Sequence, residues 1–319
     1  MLSWHNPRLR ALVYQALALA AVAFVAWYLV SNTLANLAAR HITTGFAFLG
    51  RQAGFAIGES LIRYGPTDTF ARALWVGILN TLLVAAAGIV LATLLGVLAG
   101  IARLSRNGLA SRLAAIYIEA IRNTPLLLQL FLWYALITEG LPTVHRALQP
   151  LPGVFLSNRG LALPLPFDAP HLQGYGFTGG VTLSPEFLAL LIGLVIYTGA
   201  FIAEVVRAGV LAVAKGQTEA AYSLGLKPGP TLRLVVIPQA MRVIVPPLTS
   251  QYLNLTKNST LAVAIGYPDL VQIFAGTVLN QTGQAVEVIA ITMAVYLVIS
   301  LATSGLMNLY NRRVALVER

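Results

Sequence analysis

The amino-acid sequence predicts an all-α integral membrane protein with about six transmembrane helices. Of its 319 residues, 57% are hydrophobic and only 10% are charged, whereas soluble domains carry roughly 25% charged residues. The mean hydropathy is +0.76. Several uncharged runs reach the ~20 residues that a helix needs to cross a hydrocarbon core about 30 Å thick. This composition excludes a soluble globular protein.

Six apolar runs account for the predicted spans. The first, 11–39, contains no charged residue and is longer than the apolar region of a cleavable signal peptide, which has about 7 to 15 residues. The second, 73–102, begins near Trp75, a residue type that anchors helices at the membrane interface, and is followed by Arg103. The other four runs are 113–138, 187–206, 234–256 and 288–310.

Proline is expected to interrupt two of these runs. Thr124–Pro125 lies in the third run, and Pro238, Pro246 and Pro247 lie in the fifth. Because proline lacks a backbone N–H, it breaks the helical hydrogen bonding beside it. The freed carbonyl groups then need partners on neighbouring elements. We therefore expect the fifth span to be kinked.

The charged residues predict an orientation and argue against several kinds of partner. If both termini are cytoplasmic, thirteen Lys and Arg residues fall on the inner side and six on the outer side, as the positive-inside bias requires. The net charge of +10 therefore needs no nucleic acid, and no stacking platform accompanies it. Cysteine is absent and the four His residues are scattered, so neither a disulfide nor a metal site is expected.

Two outer segments remain. The segment 43–70 is mixed in character, and 139–186 is rich in Pro and Gly, with the run Leu163-Pro164-Leu165-Pro166. Such runs favour extended or turn structure over helix. Both segments are interpreted either as plain surface loops or as a docking surface for an extracytoplasmic partner.

Charged and polar residues interrupt the third and fourth runs. A charge at the bilayer centre costs at least ~2.5 to 3.5 kcal/mol, so such residues normally face a cavity or a partner. Spacings of three and seven residues would place each set on one face of a helix. Together the faces offer a cation and an anion to a zwitterionic amino acid. The sets are Glu119, Arg122 and Gln129 in the third run and Tyr197, Glu204 and Arg207 in the fourth.

Structural explanations of these residues remain open. Glu119 with Arg122, and Glu204 with Arg207, could be i, i+3 ion pairs near the cytoplasmic headgroups. We favour Arg122 and Glu204 as the members that line a pathway. The segment 255–260, which contains Lys257 among hydrogen-bonding side chains, is either a second polar site or an outer cap with a snorkelling lysine.

A motif between the fourth and fifth runs carries a family resemblance. Glu219-Ala220-Ala221 favours a short helix and Gly225 supplies its stop. The order Glu-Ala-Ala, three residues, Gly, nine residues and then the apolar triplet Val235-Val236-Ile237 followed by Pro238 resembles permease subunits of ABC importers. The polar amino acid family, which includes the histidine, glutamine and general L-amino acid systems, is the most similar.

The resemblance implies a role for this loop. In the family it forms the coupling helix that contacts a separate ATPase subunit. The chain has no Gly-x-x-x-x-Gly-Lys-Ser/Thr phosphate loop, so we expect no cofactor in this chain and expect ATP and Mg to be bound by the partner ATPase. The implied coupling residues are Gln217, Glu219, Ala220, Ala221, Leu224 and Gly225.

Two further segments are similar to the family. Residues 119–129 resemble its Arg-Gly-Thr-Pro-Leu-Leu-x-Gln segment, with Asn123 where Gly is commonest, and 197–207 and 251–265 match the following spans. The resemblance implies a substrate site near the bilayer midplane. Its implied members are Arg122, Thr124, Gln129, Glu204, Asn258 and Ser259.

The resemblance also implies the organisation of the chain. We expect a first helix and outer segment in 1–72, and a type I ABC importer permease fold with a five-helix core in 73–313. The core would include the outer loop 139–186 and the coupling loop 208–233, and 314–319 would form a C-terminal tail. The first helix would be an addition to the family core.

The expected function is transport and not catalysis. The resemblance implies an amino acid importer of the bacterial inner membrane that works by alternating access. Its implied partners are ATPase subunits, an extracytoplasmic binding protein and a second permease, which we expect to be a different chain, although a homodimer is possible. An ion-driven secondary transporter is the alternative. A membrane-embedded enzyme is disfavoured because clustered Asp or His ligands and a Gly-x-Ser-x-Gly motif are missing.

Overall fold

A computed structural model of the protein describes residues 7–39, 44–174 and 176–314. Residues 315–319 of the predicted tail lie outside the described residues. The helices are α1 (Pro7–Ala39), α2 (Phe70–Arg103), α3 (Gly108–Arg122), α4 (Leu126–Thr138), α5 (Pro185–Leu211), α6 (Lys215–Ser223), α7 (Pro228–Thr231), α8 (Ile237–Asn258), α9 (Leu279–Thr282) and α10 (Ala285–Val314).

Within the described residues, five helices are long and apolar enough to cross a membrane, and the number rises to six if α3 and α4 are counted as one broken span. This confirms the predicted helical membrane fold with about six spans. The spans α2, α5 and α10 extend beyond the apolar runs at both ends, because capping residues such as Thr69 and Ser184 begin α2 and α5 before the first apolar residue.

Helix α5 lies at the centre of the core and contacts α2, α3, α4 and α8. Its closest approach is to α2, where a Cβ added to Gly96 would lie 2.6 Å from the Cβ of Ile202 and 2.8 Å from the carbonyl oxygen of Gly199. A Cβ on Gly100 would similarly lie 2.8 Å from the carbonyl oxygen of Ala203. The absence of side chains at these two glycines lets the backbones of α2 and α5 approach, as small residues do in membrane helix pairs.

The third apolar run is not one helix. Helix α3 ends at Arg122, α4 begins at Leu126, and their axes meet at 106°. Pro125 cannot donate a backbone hydrogen bond, so the chain turns at this point. The prediction that Glu119, Arg122 and Gln129 share one helix face is therefore wrong, because Gln129 lies on α4 after the bend.

The fifth run begins earlier than expected and is irregular at its start. Helix α7 leads through π-helical turns at Leu232–Val236 into α8, which runs on through Pro246 and Pro247. Pro238 lies in the first turn of α8, where its missing N–H is tolerated. After α8 come a 3-10 helix, Ser259–Ala264, and π-helical turns, Val271–Val278, which continue into α9. The sequence reading did not anticipate these short elements.

In the described part of the segment 139–186 the chain forms six short strands, so this segment is more than a plain loop. An antiparallel sheet has the order β1-β2-β3-β6, and β4 pairs with β5. The rings of Phe155 and Phe177 stack at 4.9 Å between the two sheets. The strands are β1 (Leu148–Leu151), β2 (Val154–Ser157), β3 (Gly160–Leu163), β4 (His171–Gln173), β5 (Gly176–Thr178) and β6 (Val181–Leu183).

The segment 44–70 packs on the end of the core at which α2 begins. Its 3-10 helix, Phe46–Gly50, buries Phe48 against the ring of Phe70 at the start of α2, with centroids 6.0 Å apart. The backbone N–H of Gly45 donates to the Glu287 carboxylate at the start of α10, at 2.6 Å. The segment therefore joins the first turns of α2 and α10.

Candidate translocation site and coupling surface

One face of α5 carries a row of aromatic and charged side chains. Tyr197, Phe201, Glu204 and Arg207 follow one another at intervals of four, three and three residues, which is the spacing of one helix face. The guanidinium of Arg207 donates to both carboxylate oxygens of Glu204, from Nε at 2.9 Å and from Nη2 at 2.6 Å. The i, i+3 ion pair left open for these two residues is therefore formed. About a third of each side chain remains exposed.

Arg122, at the end of α3, reaches the same face. Its guanidinium lies 5.1 Å from the centroid of the Phe201 ring, a cation–π distance, and the ring of Tyr197 follows at 5.0 Å. Of the acidic residues that the structure describes, none forms a salt bridge with Arg122, so the alternative pair with Glu119 is not formed. Sequence reasoning missed Phe201, although its position between Tyr197 and Glu204 was a usable signal.

The cluster lies deep within α5. The helix has 27 residues and is therefore about 40 Å long. Phe201 lies ten residues before its last residue, Leu211, or about 15 Å along the axis. A membrane-spanning α5 would thus hold Arg122 and Phe201 near mid-depth, where a side-chain charge requires a cavity or a partner.

Gln129 connects α4 to the end of α3. Its side chain is buried, with 4% exposure, and its Nε2 donates to the carbonyl oxygens of Ile121 and Thr124, each at 3.1 Å. Its Oε1 has no hydrogen-bond partner. The hydroxyl of Thr124 donates to the carbonyl oxygen of Ala120 at 2.8 Å. Gln129 thereby satisfies carbonyl groups at the bend and helps to position the end of α3 that carries Arg122.

Asn258 and Ser259 lie apart from the Arg122 cluster. Gly88 packs against Leu255, whereas Gly96 packs against Ile202, and the separation of eight positions between these glycines corresponds to about 12 Å along α2. Ser259 is buried and its hydroxyl donates to the carbonyl oxygen of Thr256 at 2.8 Å. The structure thus brings Arg122 and Glu204 together, with Thr124 beside the bend, and leaves Asn258 and Ser259 nearer the other end of α2.

At the far end of α5, the loop forms the short helix α6 that the sequence predicted. Gly225 has φ +78°, a conformation that favours glycine. The N–H of Leu226 donates to the carbonyl oxygen of Ala221 at 3.1 Å, and the N–H of Gly225 donates to the carbonyl oxygen of Tyr222 at 2.9 Å. These two bonds form a Schellman motif. The glycine stop is therefore observed as expected.

Helix α6 presents an exposed surface while remaining fixed to the spans. Ala221 is buried, whereas Leu224 is 83% exposed and Glu219 is also exposed. The Gln239 amide at the start of α8 donates to the side-chain oxygen of Gln217 at 3.2 Å. An exposed leucine directly after a helix held in this way is suited to contact another protein.

A second polar region lies at the other end of α5. A cavity of about 380 Å³ is bordered by Glu59, Ser184, Glu186 and Gln272, among others. The hydroxyl of Ser184 donates to the Glu59 carboxylate at 2.5 Å, yet burial raises the pKa of Glu59, and the nearby charge of Glu186 adds to this rise. Among the described residues, no group of three or more His, Cys, Asp and Glu residues could hold a metal ion.

Comparisons with known proteins agree with this arrangement. Residues 92–316 match the family described as binding-protein-dependent transport system inner membrane component. The chain is 48% identical to the amino-acid ABC transporter permease protein YhdX of Escherichia coli strain K12, over 100% of this chain and 97% of that protein. It is 42% identical to the general L-amino acid transport system permease protein AapQ of Rhizobium johnstonii, over 99% of this chain and 94% of that protein.

Two solved structures are similar in fold. An amino acid ABC transporter crystallised with histidines matches 76% of this chain and 95% of its own, with 29% identity and a TM-score of 0.56. The MetNI methionine ABC transporter in an inward-facing conformation matches 77% of this chain and 97% of its own, with a TM-score of 0.55. At 17% identity, the second likeness concerns the fold alone.

Proposed function

The chain belongs to the family of inner membrane components of binding-protein-dependent transport systems, and from this premise we propose that it imports amino acids. It is a membrane-spanning transport subunit and not an enzyme, since the ATPase of such systems resides on separate subunits. The observation that carries the proposal is the course of α5, which runs from the Arg122 cluster directly to the exposed helix α6.

The proposed mechanism is alternating access driven by a partner ATPase. Binding of ATP closes the ATPase subunits, and α6 transmits this motion to α5 through residues Gln217 to Gly225. The substrate carboxylate binds the Arg122 guanidinium, and Thr124, two residues further along the chain, contributes its hydroxyl. Rocking of the spans opens this site to one side and then to the other.

The remaining partners and the orientation belong to the same proposal. An extracytoplasmic binding protein delivers the substrate at the end of α5 that carries the β-sheets, and both chain termini are cytoplasmic. A second permease, which the general L-amino acid resemblance indicates is a different chain, completes the pathway. Asn258 and Ser259 remain proposed contributors to the outer part of the pathway, and Gln129 contributes through the bend.

The test reverses a charge on α6. In proteoliposomes that contain the assembled transporter, Glu219→Arg should abolish ATP-dependent amino acid uptake and substrate-stimulated ATPase activity, because it alters the surface that contacts the ATPase. Arg312→Glu, a charge reversal at an exposed position near the end of α10, should leave both activities near wild type. Equal behaviour of the two variants would remove α6 from the coupling mechanism. Uptake that persists with vanadate and follows an ion gradient would favour a secondary transporter.

A further inference from the structure

We propose that Phe167, in a turn of the β-sheet segment, is the residue that anchors the extracytoplasmic binding protein to this chain. The inference rests on the proposed function and adds the contact through which that partner is held. It concerns the segment 139–186, for which the sequence left open a plain loop or a docking surface.

Phe167 lies in a tight turn that is unfavourable for its residue type. The N–H of Leu165 donates to the carbonyl oxygen of Asp168 at 2.9 Å, and the N–H of Asp168 donates to that of Leu165 at 3.1 Å. Pro166 and Phe167 therefore form a two-residue turn. Phe167 has φ +73°, and among the described residues every other positive φ belongs to a glycine. Proline followed by a positive φ is the pattern of a type II turn, whose second position favours glycine, so a phenylalanine there is strained.

The ring of Phe167 contributes nothing to the core of this chain. The side chain is fully exposed, and the residues 164–169 around it are all exposed. Burial of the ring therefore does not offset the strained backbone. A strained residue that presents an apolar ring to solvent is explained by a contact outside the chain.

The turn is held in a fixed position. The backbone N–H of Gly180 donates to the Asp168 carboxylate at 3.0 Å. A Cβ added to Gly179 would lie 2.6 Å from the other oxygen of this carboxylate, so the chain at Gly179 packs directly on the residue after Phe167. Because the ring is presented by a rigid turn, little conformational freedom is lost when a partner binds it.

The strand pairing places this turn at the end of the sheet remote from α5. Strands β3 and β6 are antiparallel, with Leu161 opposite Leu183 and Leu163 opposite Val181. Strand β6 leads directly into α5 at Pro185, and about 13 Å of extended chain separates Val181 from Pro185. The turn that follows Leu163 therefore lies beyond the far end of the sheet. In the proposed orientation, this end is on the extracytoplasmic side.

The charge of this region favours a protein over a lipid surface. Anionic headgroups attract Lys and Arg side chains, but the residues 160–186 contain neither, and their only charged members are Asp168 and Glu186. A rigid aromatic side chain is typical of the anchor residues of protein interfaces. A second permease would pack along the spans, whereas the turn lies beyond the sheet. The binding protein is therefore the partner that fits this position.

The experiment measures the affinity of the binding protein for the assembled transporter. The complex of this chain with its partner permease and ATPase subunits is reconstituted in lipid nanodiscs. It is titrated with the purified binding protein that stimulates its ATPase activity. Phe167→Gly should weaken this affinity by about tenfold or more, the usual effect of removing an aromatic anchor. The unfolding midpoint of this variant should not fall, because glycine adopts a positive φ without strain.

Two further variants separate the ring from other effects. Phe167→Leu keeps part of the apolar surface and should lose less affinity than Phe167→Gly. Leu109→Ala, at an exposed position in the first turn of α3 and thus at the end of the spans opposite the sheet, should leave the affinity unchanged. Equal affinities of the wild type and Phe167→Gly would overturn the anchor.

A photoreactive side chain identifies the partner directly. On irradiation, Phe167→p-benzoylphenylalanine should cross-link to the binding protein. Adducts with lipid or with the second permease in its place would overturn the proposal. If no binding protein stimulated the wild-type complex, the proposed function itself would be wrong. If one stimulated and bound the wild type and Phe167→Gly alike, only the role of Phe167 would be wrong.

Discussion

Replacement of Gln129 by leucine tests whether this amide maintains the bend between α3 and α4. Gln129→Leu keeps a side chain of similar size in a buried position but removes the two bonds from Nε2 to the carbonyls of Ile121 and Thr124. The Ile121 carbonyl retains the bond from the backbone N–H of Thr124 at 3.2 Å. The Thr124 carbonyl therefore bears most of the loss.

The structure sets the size of the effect. Hydrogen bonds between membrane helices contribute about 0.6 kcal/mol each on average, so two bonds give about 1.2 kcal/mol. An unsatisfied buried carbonyl raises the cost to about 1–3 kcal/mol. Leucine also removes the buried Oε1 that has no partner in the wild type, which offsets part of this cost. We therefore expect a net destabilisation of about 1–2 kcal/mol.

The assay combines stability with transport. Thermal unfolding of the purified transporter in detergent should show a lower midpoint for Gln129→Leu, and uptake should fall because Arg122 at the end of α3 loses its position. Leu128→Ala, on the exposed neighbouring position, serves as the control. An unfolding midpoint and an uptake rate equal to those of the wild type would refute the role of Gln129 at the bend.

Two further predictions concern packing and pH. Gly96→Ala should destabilise the protein by about 1–3 kcal/mol, because its Cβ would lie 2.6 Å from that of Ile202, whereas Gly305→Ala meets nothing within 4 Å; equal unfolding midpoints would contradict the close α2–α5 contact. Burial raises the pKa of Asp269 from 3.8 to about 7, so its contribution to stability is greatest below about pH 4 and is lost as the pH rises through 7. Asp269→Asn should reduce the change in the unfolding midpoint between pH 5 and pH 7.5. If the midpoint of the variant changes with pH as that of the wild type does, Asp269 does not control this dependence.

Local signals predicted the elements whose causes are local. The apolar runs identified the spans because a helix in lipid must be apolar along its exposed length. Gly225 marked the end of α6 because a left-handed residue at that point favours glycine. Pro125 marked the break in the third run, because the missing backbone N–H that breaks the helix is a property of proline itself.

Features that depend on distant contacts were not predictable in this way. The 106° angle after α3 depends on where Gln129 is buried and on how both helices pack against α5. The pairing of β3 with β6 joins Leu161 to Leu183, and no local pattern specifies that register. The contact of Arg122 with Phe201 likewise joins residues far apart in the chain, so the sequence indicated the charged residues but not the aromatic surface between them.

In the proposed mechanism, the arrangement of α5 lets one motion serve both coupling and substrate binding. Glu204 and Lys215 are eleven residues apart in the chain, and α5 continues as a helix to Leu211, four residues before α6 begins. The close contact with α2 at Gly96 and Gly100 resists local bending of α5, because backbone atoms face each other there without side chains that could rearrange. A displacement of α6 would therefore move the Glu204–Arg207 pair together with α2. Arg122 lies at the end of α3, so motion of α3 relative to α5 would alter the distance between Arg122 and Glu204. This change would alter the affinity for a bound carboxylate.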